Sequence, residues 1–279
     1  MKPQKNLKLK ILIKFTNLTT SSIFFQFFAT INCKKNLKNK INRFLTSKNY
    51  LRFVSYYHKL FGEKFQKEIS VPKIFDDKIH RLNLINKIIS DFQLKSYLEI
   101  GCDQDEVFSK VIVENKVGVD PVSGGNVRST SNEFFKKNSN FFDLIFIDGL
   151  HEYSQVKKDI KNSLETLNSK GIILIHDCMP LSYLDQAVPR AQRKWNGDVW
   201  KSIVELRVRN DVFTCVGCFD QGIGMILKRK NDKILELSKE KSFRFKDLSY
   251  ENYYHNFDKY LNLIDHNKFF ELIKDYRIS

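Results

Sequence analysis

Residues Phe142 to Pro180 read FDLIFIDGLHEYSQVKKDIKNSLETLNSKGIILIHDCMP. Two apolar runs stand in this stretch, Leu144 to Ile147 and Ile172 to Ile175. Between them Tyr153, Val156, Ile160, Leu164 and Leu167 share one helical face, with Lys157, Lys158, Lys161 and Glu165 elsewhere. Gly171 suits the stop of that helix. The stretch therefore reads as strand, helix, strand. The first run delivers Asp148 and His151, and the second delivers His176 and Asp177. Open α/β sheets bind ligands outside the carboxyl ends of their strands. Two acids and two imidazoles are thus expected along one rim.

The same alternation extends in both directions. Ile79, Leu82, Ile85, Ile88, Ile89 and Phe92 repeat at helical spacing. Tyr97 to Ile100 reads as a first strand closing at Gly101, Val107 to Val113 as a helix, and Val117 to Val119 as a second strand closing at Asp120. Thr130 or Ser131 can cap the next helix. Beyond residue 180, Asp198 is placed to cap a helix carrying Val199, Ile203, Leu206 and Val208. Val212 to Val216 and Ile223 to Leu227 form a hairpin across Asp220-Gln221-Gly222. This order predicts an α/β fold with a doubly wound, mostly parallel sheet and an antiparallel strand from the closing hairpin. The expected organisation is a basic helical N-terminal extension over 1–74, a sheet domain over 75–230 and a helical C-terminal extension over 231–279.

Composition narrows the class. An apolar fraction of 42% supports a packed core, and only 5 Pro and 11 Gly in 279 residues argue against long linkers. The net charge of +15 is uneven: no Asp or Glu precedes Glu63, so residues 1–62 carry +13. Such an arm either binds an anionic partner, nucleic acid among them, or is simply solvated. Five cysteines do not form a disulfide framework in a chain this long. Cys215 and Cys218 read as strand interior rather than as a metal or redox pair. Residues 15–33 are uncharged but interrupted by polar side chains, so no membrane span is expected. A reducing, cytoplasmic location fits these features.

Chemistry enters at the strand ends. Glu99 and Gly101 close the first strand, and Asp120 follows at the spacing of a ribose-gripping acid. A dinucleotide site would continue as a glycine-rich run that cradles pyrophosphate. Here Gly101 is followed by Asp103, Asp105 and Glu106, which would repel two phosphates. They would not repel S-adenosylmethionine, whose sulfonium and ammonium are cationic. An NAD-dependent oxidoreductase is therefore disfavoured.

Residues 79–229 resemble a class I S-adenosylmethionine-dependent methyltransferase. The motifs are Leu98-Glu-Ile-Gly101, Gly118-Val-Asp120, Ile147-Asp-Gly-Leu-His-Glu-Tyr153, Ile175-His-Asp177 and Trp195-Asn-Gly-Asp-Val-Trp200. The resemblance implies methylation of an oxygen on a small molecule or glycan precursor. It implies that Glu99 and Gly101 line the methionine and ribose end of the cofactor and that Asp120 holds the ribose hydroxyls. Ser131 and Asn132 would approach the adenine, and Asp148 would lie beside the reactive methyl. Asp105 stands where the family usually has glycine.

Deprotonating the acceptor needs a base or a metal. His151 and His176 are the candidate bases, with Asp148 and Asp177 orienting them. Alternatively Asp148 and Asp177 bind Mg²⁺, with Cys178 standing where a further oxygen ligand is expected. Trp195 and Trp200 read equally as an aromatic wall over the acceptor or as packing anchors. An RNA methyltransferase using residues 1–62, and a non-catalytic adaptor that keeps the sheet, are the alternatives. The aromatic C-terminal segment is expected to pack on the domain or on a second copy.

Overall fold

The computed structural model describes residues 48–61, 69–76, 78–237 and 243–278. Most of the basic arm lies outside them. Helix α1 spans Lys48–Phe61 and α2 spans Arg81–Asp91. Strands β1 (Ser96–Ile100) and β2 (Asn115–Val119) precede α3 (Ser131–Lys137) and β3 (Phe142–Ile147). Then come α4 (Tyr153–Glu165), β4 (Leu167–Ile175), the short α5 (Tyr183–Gln186) and α6 (Trp200–Arg207). The hairpin strands β5 (Phe213–Gly217) and β6 (Ile223–Leu227) follow, then α7 (Tyr250–Leu261), β7 (Leu263–Ile264) and α8 (His266–Ile278).

The seven strands form one sheet in the order β2-β1-β3-β4-β6-β5-β7. β1 pairs in parallel with β2 and β3, and β3 with β4. β6 is antiparallel to both β4 and β5, while β7 returns parallel to β5. This is a doubly wound, Rossmann-like sheet with a reversed late strand, as the alternation requires. The chain leaves β1 in one direction for β2 and crosses to the other side for β3. The switch point, where such sheets bind ligands, lies between the ends of β1 and β3.

Both sheet faces are covered, which is why the central strands are apolar without alternation. One face carries Leu98, Ile145, Ile173 and Ile226 against Val156 and Ile160 of α4, Trp200 and Ile203 of α6, and Tyr253 and Tyr260 of α7. The other carries Tyr97, Leu144, Ile172 and Met225 against Ile85 and Ile88 of α2 and Phe269 and Ile273 of α8. The C-terminal helices therefore share the sheet's core.

Three local expectations are corrected. Val107 to Val113 is not a helix. It holds only a 3₁₀ turn, Phe108–Lys110, and Lys116 Nζ gathers the carbonyls of Phe108, Ser109 and Val111. Helix α4 ends at Glu165, so Leu167 opens β4 and Gly171 lies inside that strand. A Cβ on Gly171 would press on the Leu167 side chain. Asp198 does not cap α6. Its Oδ1 accepts from the Tyr153 amide at 2.6 Å and so caps α4 from 45 residues away.

Candidate active site

The sheet brings β3 and β4 side by side in register, with Ile147 opposite Ile175. Asp148 and His176, the next residues on each strand, must therefore be neighbours. Asp148 Oδ1 lies 3.2 Å from His176 Nδ1 and 3.3 Å from His151 Nε2. Asp177 Oδ2 lies 3.0 Å from His176 Nδ1 and 3.1 Å from His151 Nδ1. Asp177 has φ of +60°, in the left-handed region. The four residues singled out from the sequence thus form one cluster at the predicted rim.

Residues remote in sequence complete the cluster. The β5–β6 turn folds against the segment after β4, where the amides of Cys178 and Met179 donate to the carbonyls of Gly222 and Gln221. That contact carries Asp220 to His176, with Oδ1 3.3 Å from Nε2. Asp220 also accepts from the Arg81 amide at 2.6 Å, capping α2, and pairs with the Arg81 guanidinium at 3.1 Å. Arg81 Nε faces Asp148 at 3.8 Å. Asn196, fully buried, donates from Nδ2 to Asp177 Oδ1 at 2.8 Å. Arg81, Asn196 and Asp220 were not predicted. Only the Asp-Gln-Gly turn hinted at where Asp220 would be.

These contacts decide the charges. Burial alone would raise the Asp148 carboxyl, but the imidazoles of His176 and His151 outweigh it and hold the group well below the usual carboxylate range. Burial would lower His176, yet Asp177 and Asp148 push it well above the ordinary imidazole value. His151 is raised in the same way, Asp177 again the strongest opposing cause to burial. Asp220, despite its burial, is brought down to about 2 by His176 and Arg81. Three carboxylates thus face two imidazoles and one guanidinium.

The two tryptophans divide. Trp195 stacks on His151 with ring centroids 5.3 Å apart and planes 21° apart. Its indole N–H is held by the Ala187 carbonyl at 2.6 Å. Trp200 is fully buried against Tyr253 and Tyr260 and serves as a packing anchor. Gly197 has φ of +62°, and a Cβ there would collide with the His151 carbonyl, so this glycine seats His151.

At the switch point Gly101 has φ of +90°, and its missing Cβ makes room for the Asp148 backbone. Glu99 is buried and pushed up to about 7 by that burial, although Tyr97 Oη donates to it at 2.5 Å. Asp120 is held by four backbone amides. Its Oδ2 accepts from the amides of Cys102 and Asp103, and its Oδ1 from those of Val122 and Ser123. Ser131 Oγ and Asn132 Oδ1 both accept from Gln155 Nε2, which also donates to the buried Asp159. Burial raises Asp159 to about 6. The sequence did not point to this pair.

The anionic surround of Gly101 fits a cationic sulfonium donor. The fit to Mg²⁺ is poor. Asp148, His151 and Asp177 each offer a ligand atom, all within 4.8 Å of one another. One of the three is a nitrogen, whereas Mg²⁺ prefers an oxygen shell. Cys178 supplies nothing, since its thiol is buried and directed at the Ile175 carbonyl.

The strand order and the switch point are those of a Rossmann-like α/β domain. Residues 100–178 match the family described as a methyltransferase domain, the span from the end of β1 to just past β4. No curated protein matches the chain. Among solved structures it is similar to an SAH-bound Podospora anserina methyltransferase, at 17% identity over 67% of this chain and 97% of that one, TM-score 0.42. It is also similar to the O-methyltransferase TomG from Streptomyces achromogenes, in complex with SAM. That match has 13% identity over 70% of this chain and 96% of the other, TM-score 0.39. Among the described residues no helix is long and apolar enough to cross a membrane.

Proposed function

We propose that this chain transfers a methyl group from S-adenosylmethionine to a hydroxyl of a small molecule or glycan precursor. The convergence of Asp148, His151, His176 and Asp177 beside the switch point carries the proposal. The bound donor supplies an electrophilic methyl on a cationic sulfur. The chain must place the hydroxyl in line and take its proton.

His151 is the residue for that proton. Its Nδ1 faces two oxygens, Asp177 Oδ2 and the Trp195 carbonyl at 3.2 Å. Both accept hydrogen bonds when Asp177 is ionised, so Nδ1 keeps its hydrogen and Nε2 is the basic nitrogen. Asp148 Oδ1 lies beside Nε2, ready to receive its N–H once the proton arrives. Trp195 fixes the ring plane and shields one of its faces. Asp120 would hold the cofactor's ribose, and Ser131 and Asn132 would face the adenine.

A second reading follows from the ligand spacing of Asp148, His151 and Asp177. They would hold a divalent ion tolerant of nitrogen, which would lower the acceptor's pKa. Transfer of labelled methyl to a panel of hydroxylated acceptors, with and without EDTA, separates the two. The base reading expects EDTA to leave the rate unchanged. It also expects His151→Gln to lose roughly 10²- to 10⁴-fold in rate while still binding S-adenosylhomocysteine. Wild-type turnover by His151→Gln would sink it.

A further inference from the structure

Residues 186–197 contain no acid, and Arg190, Arg193 and Lys194 lie among them beside the rim. Helix α1 braces this segment, with Val54 packed on Ala187 and Ala191. Arg190, between those two alanines, is half-buried. Its guanidinium lies 5.6 Å from the centroid of the Trp195 ring, the same indole that stacks on His151. Its Nε donates to the Gln192 carbonyl at 3.0 Å, and Nη2 donates to the Arg193 carbonyl. The guanidinium is therefore held in place by its own loop, and Nη1 makes no hydrogen bond among the described residues.

Arg190 has no ion-pair partner among the described residues, yet it lies in the fields of Asp177 after β4 and Asp103 after β1. A partly desolvated cation without a close counter-ion is costly. The neighbouring cations are committed elsewhere. Arg81 pairs with Asp220, and Arg128 donates to the carbonyls of Asp120 and Gly124. The amino-acid end of the methyl donor carries a carboxylate, and Asp103, Asp105 and Glu106 would repel it there.

We infer that Arg190 anchors the α-carboxylate of S-adenosylmethionine through Nη1 and the second hydrogen of Nη2. This rests on the function proposed above. A planar guanidinium recognises a carboxylate through two parallel hydrogen bonds. The anchor would offset the acids that replace a glycine-rich loop. It would also couple the methionine end to the indole that orients His151.

The test is calorimetry on the full chain with S-adenosylhomocysteine and with 5′-methylthioadenosine, which keeps the adenosine but lacks the amino-acid end. Arg190→Gln is expected to weaken S-adenosylhomocysteine roughly tenfold or more and to leave methylthioadenosine unchanged, with Arg190→Lys between the two. Equal S-adenosylhomocysteine affinity in wild type and Arg190→Gln would overturn the assignment and leave Arg190 for an anionic acceptor. Equal losses for both ligands would overturn it too, since the effect would not lie at the carboxylate. Wild-type protein that binds neither ligand would instead refute the proposed donor.

Discussion

Glu152 gives a prediction that needs no acceptor. It follows His151 at the entry to α4, is only 4% exposed, and its Oε1 has no hydrogen-bond partner among the described residues. Burial pushes its carboxyl up to about 7, and the nearby Asp198 adds to the shift. The folded protein therefore holds a proton that the unfolded chain releases near its ordinary value of about 4.3. Between those two values the native state binds more protons, so stability falls as pH rises. The gap between those two values corresponds to roughly 3 kcal/mol at pH 8. For a domain of this size that is on the order of 6–12 °C in Tm.

The perturbation is Glu152→Gln, which keeps the shape and removes the titration. Thermal melts of both proteins are recorded from pH 4.5 to pH 8. Near pH 4.5 the two Tm values should nearly coincide. The variant should then gain on the wild type as pH rises, by about 3 kcal/mol at most. Glu99 and Asp159, also raised by burial, slope both curves the same way and cancel in the difference. Curves that run parallel across the whole range would refute the claim that Glu152 is buried and protonated.

Three further outcomes are expected. Gly197→Ala must displace the His151 backbone, and a shift of about 1 Å at a reacting group costs on the order of 10²-fold; labelled-methyl transfer should fall by that much with S-adenosylhomocysteine affinity kept. Asp120→Ala removes four amide partners at once, so calorimetry should show cofactor binding weakened by about tenfold or more. Asp198→Ala loses the cap on α4 and should lower Tm by about 2–4 °C, for a cost of about 1 kcal/mol.

The strands were legible because each central one is buried on both faces and so reads as an uninterrupted apolar run. The rim was legible for the same reason. A parallel pair in register places the residues after Ile147 and Ile175 together, whatever their chemistry. Legibility failed where a side chain replaced a local backbone bond. Val107, Phe108 and Val111 have helical spacing, but Lys116 takes the carbonyls a helix would use. It failed again where partners are distant in the chain. Nothing near Arg81 signals that its amide and guanidinium meet Asp220, 139 positions away. Asn196 sat inside a recognised motif, but its donation to Asp177 depends on how the 187–197 segment folds back over β4.

The network itself separates the two imidazoles. His176 is 3% exposed, with carboxylates at both ring nitrogens and Arg81 Nη1 3.1 Å from Nε2. A proton leaving it would strand a buried negative charge among Asp148, Asp177 and Asp220, which is costly in a desolvated site. Its partners therefore keep it charged, and it acts on Asp148 as a fixed positive charge. His151 has the same two carboxylates but an 18% exposed side chain, and water or an acceptor can reach it. Neutralising His151 removes a charge at the edge of the cluster, where solvent can compensate. On the proposed reading, proton exchange with an acceptor would therefore run through His151 Nε2, with Asp148 held ionised beside it by the buried histidine.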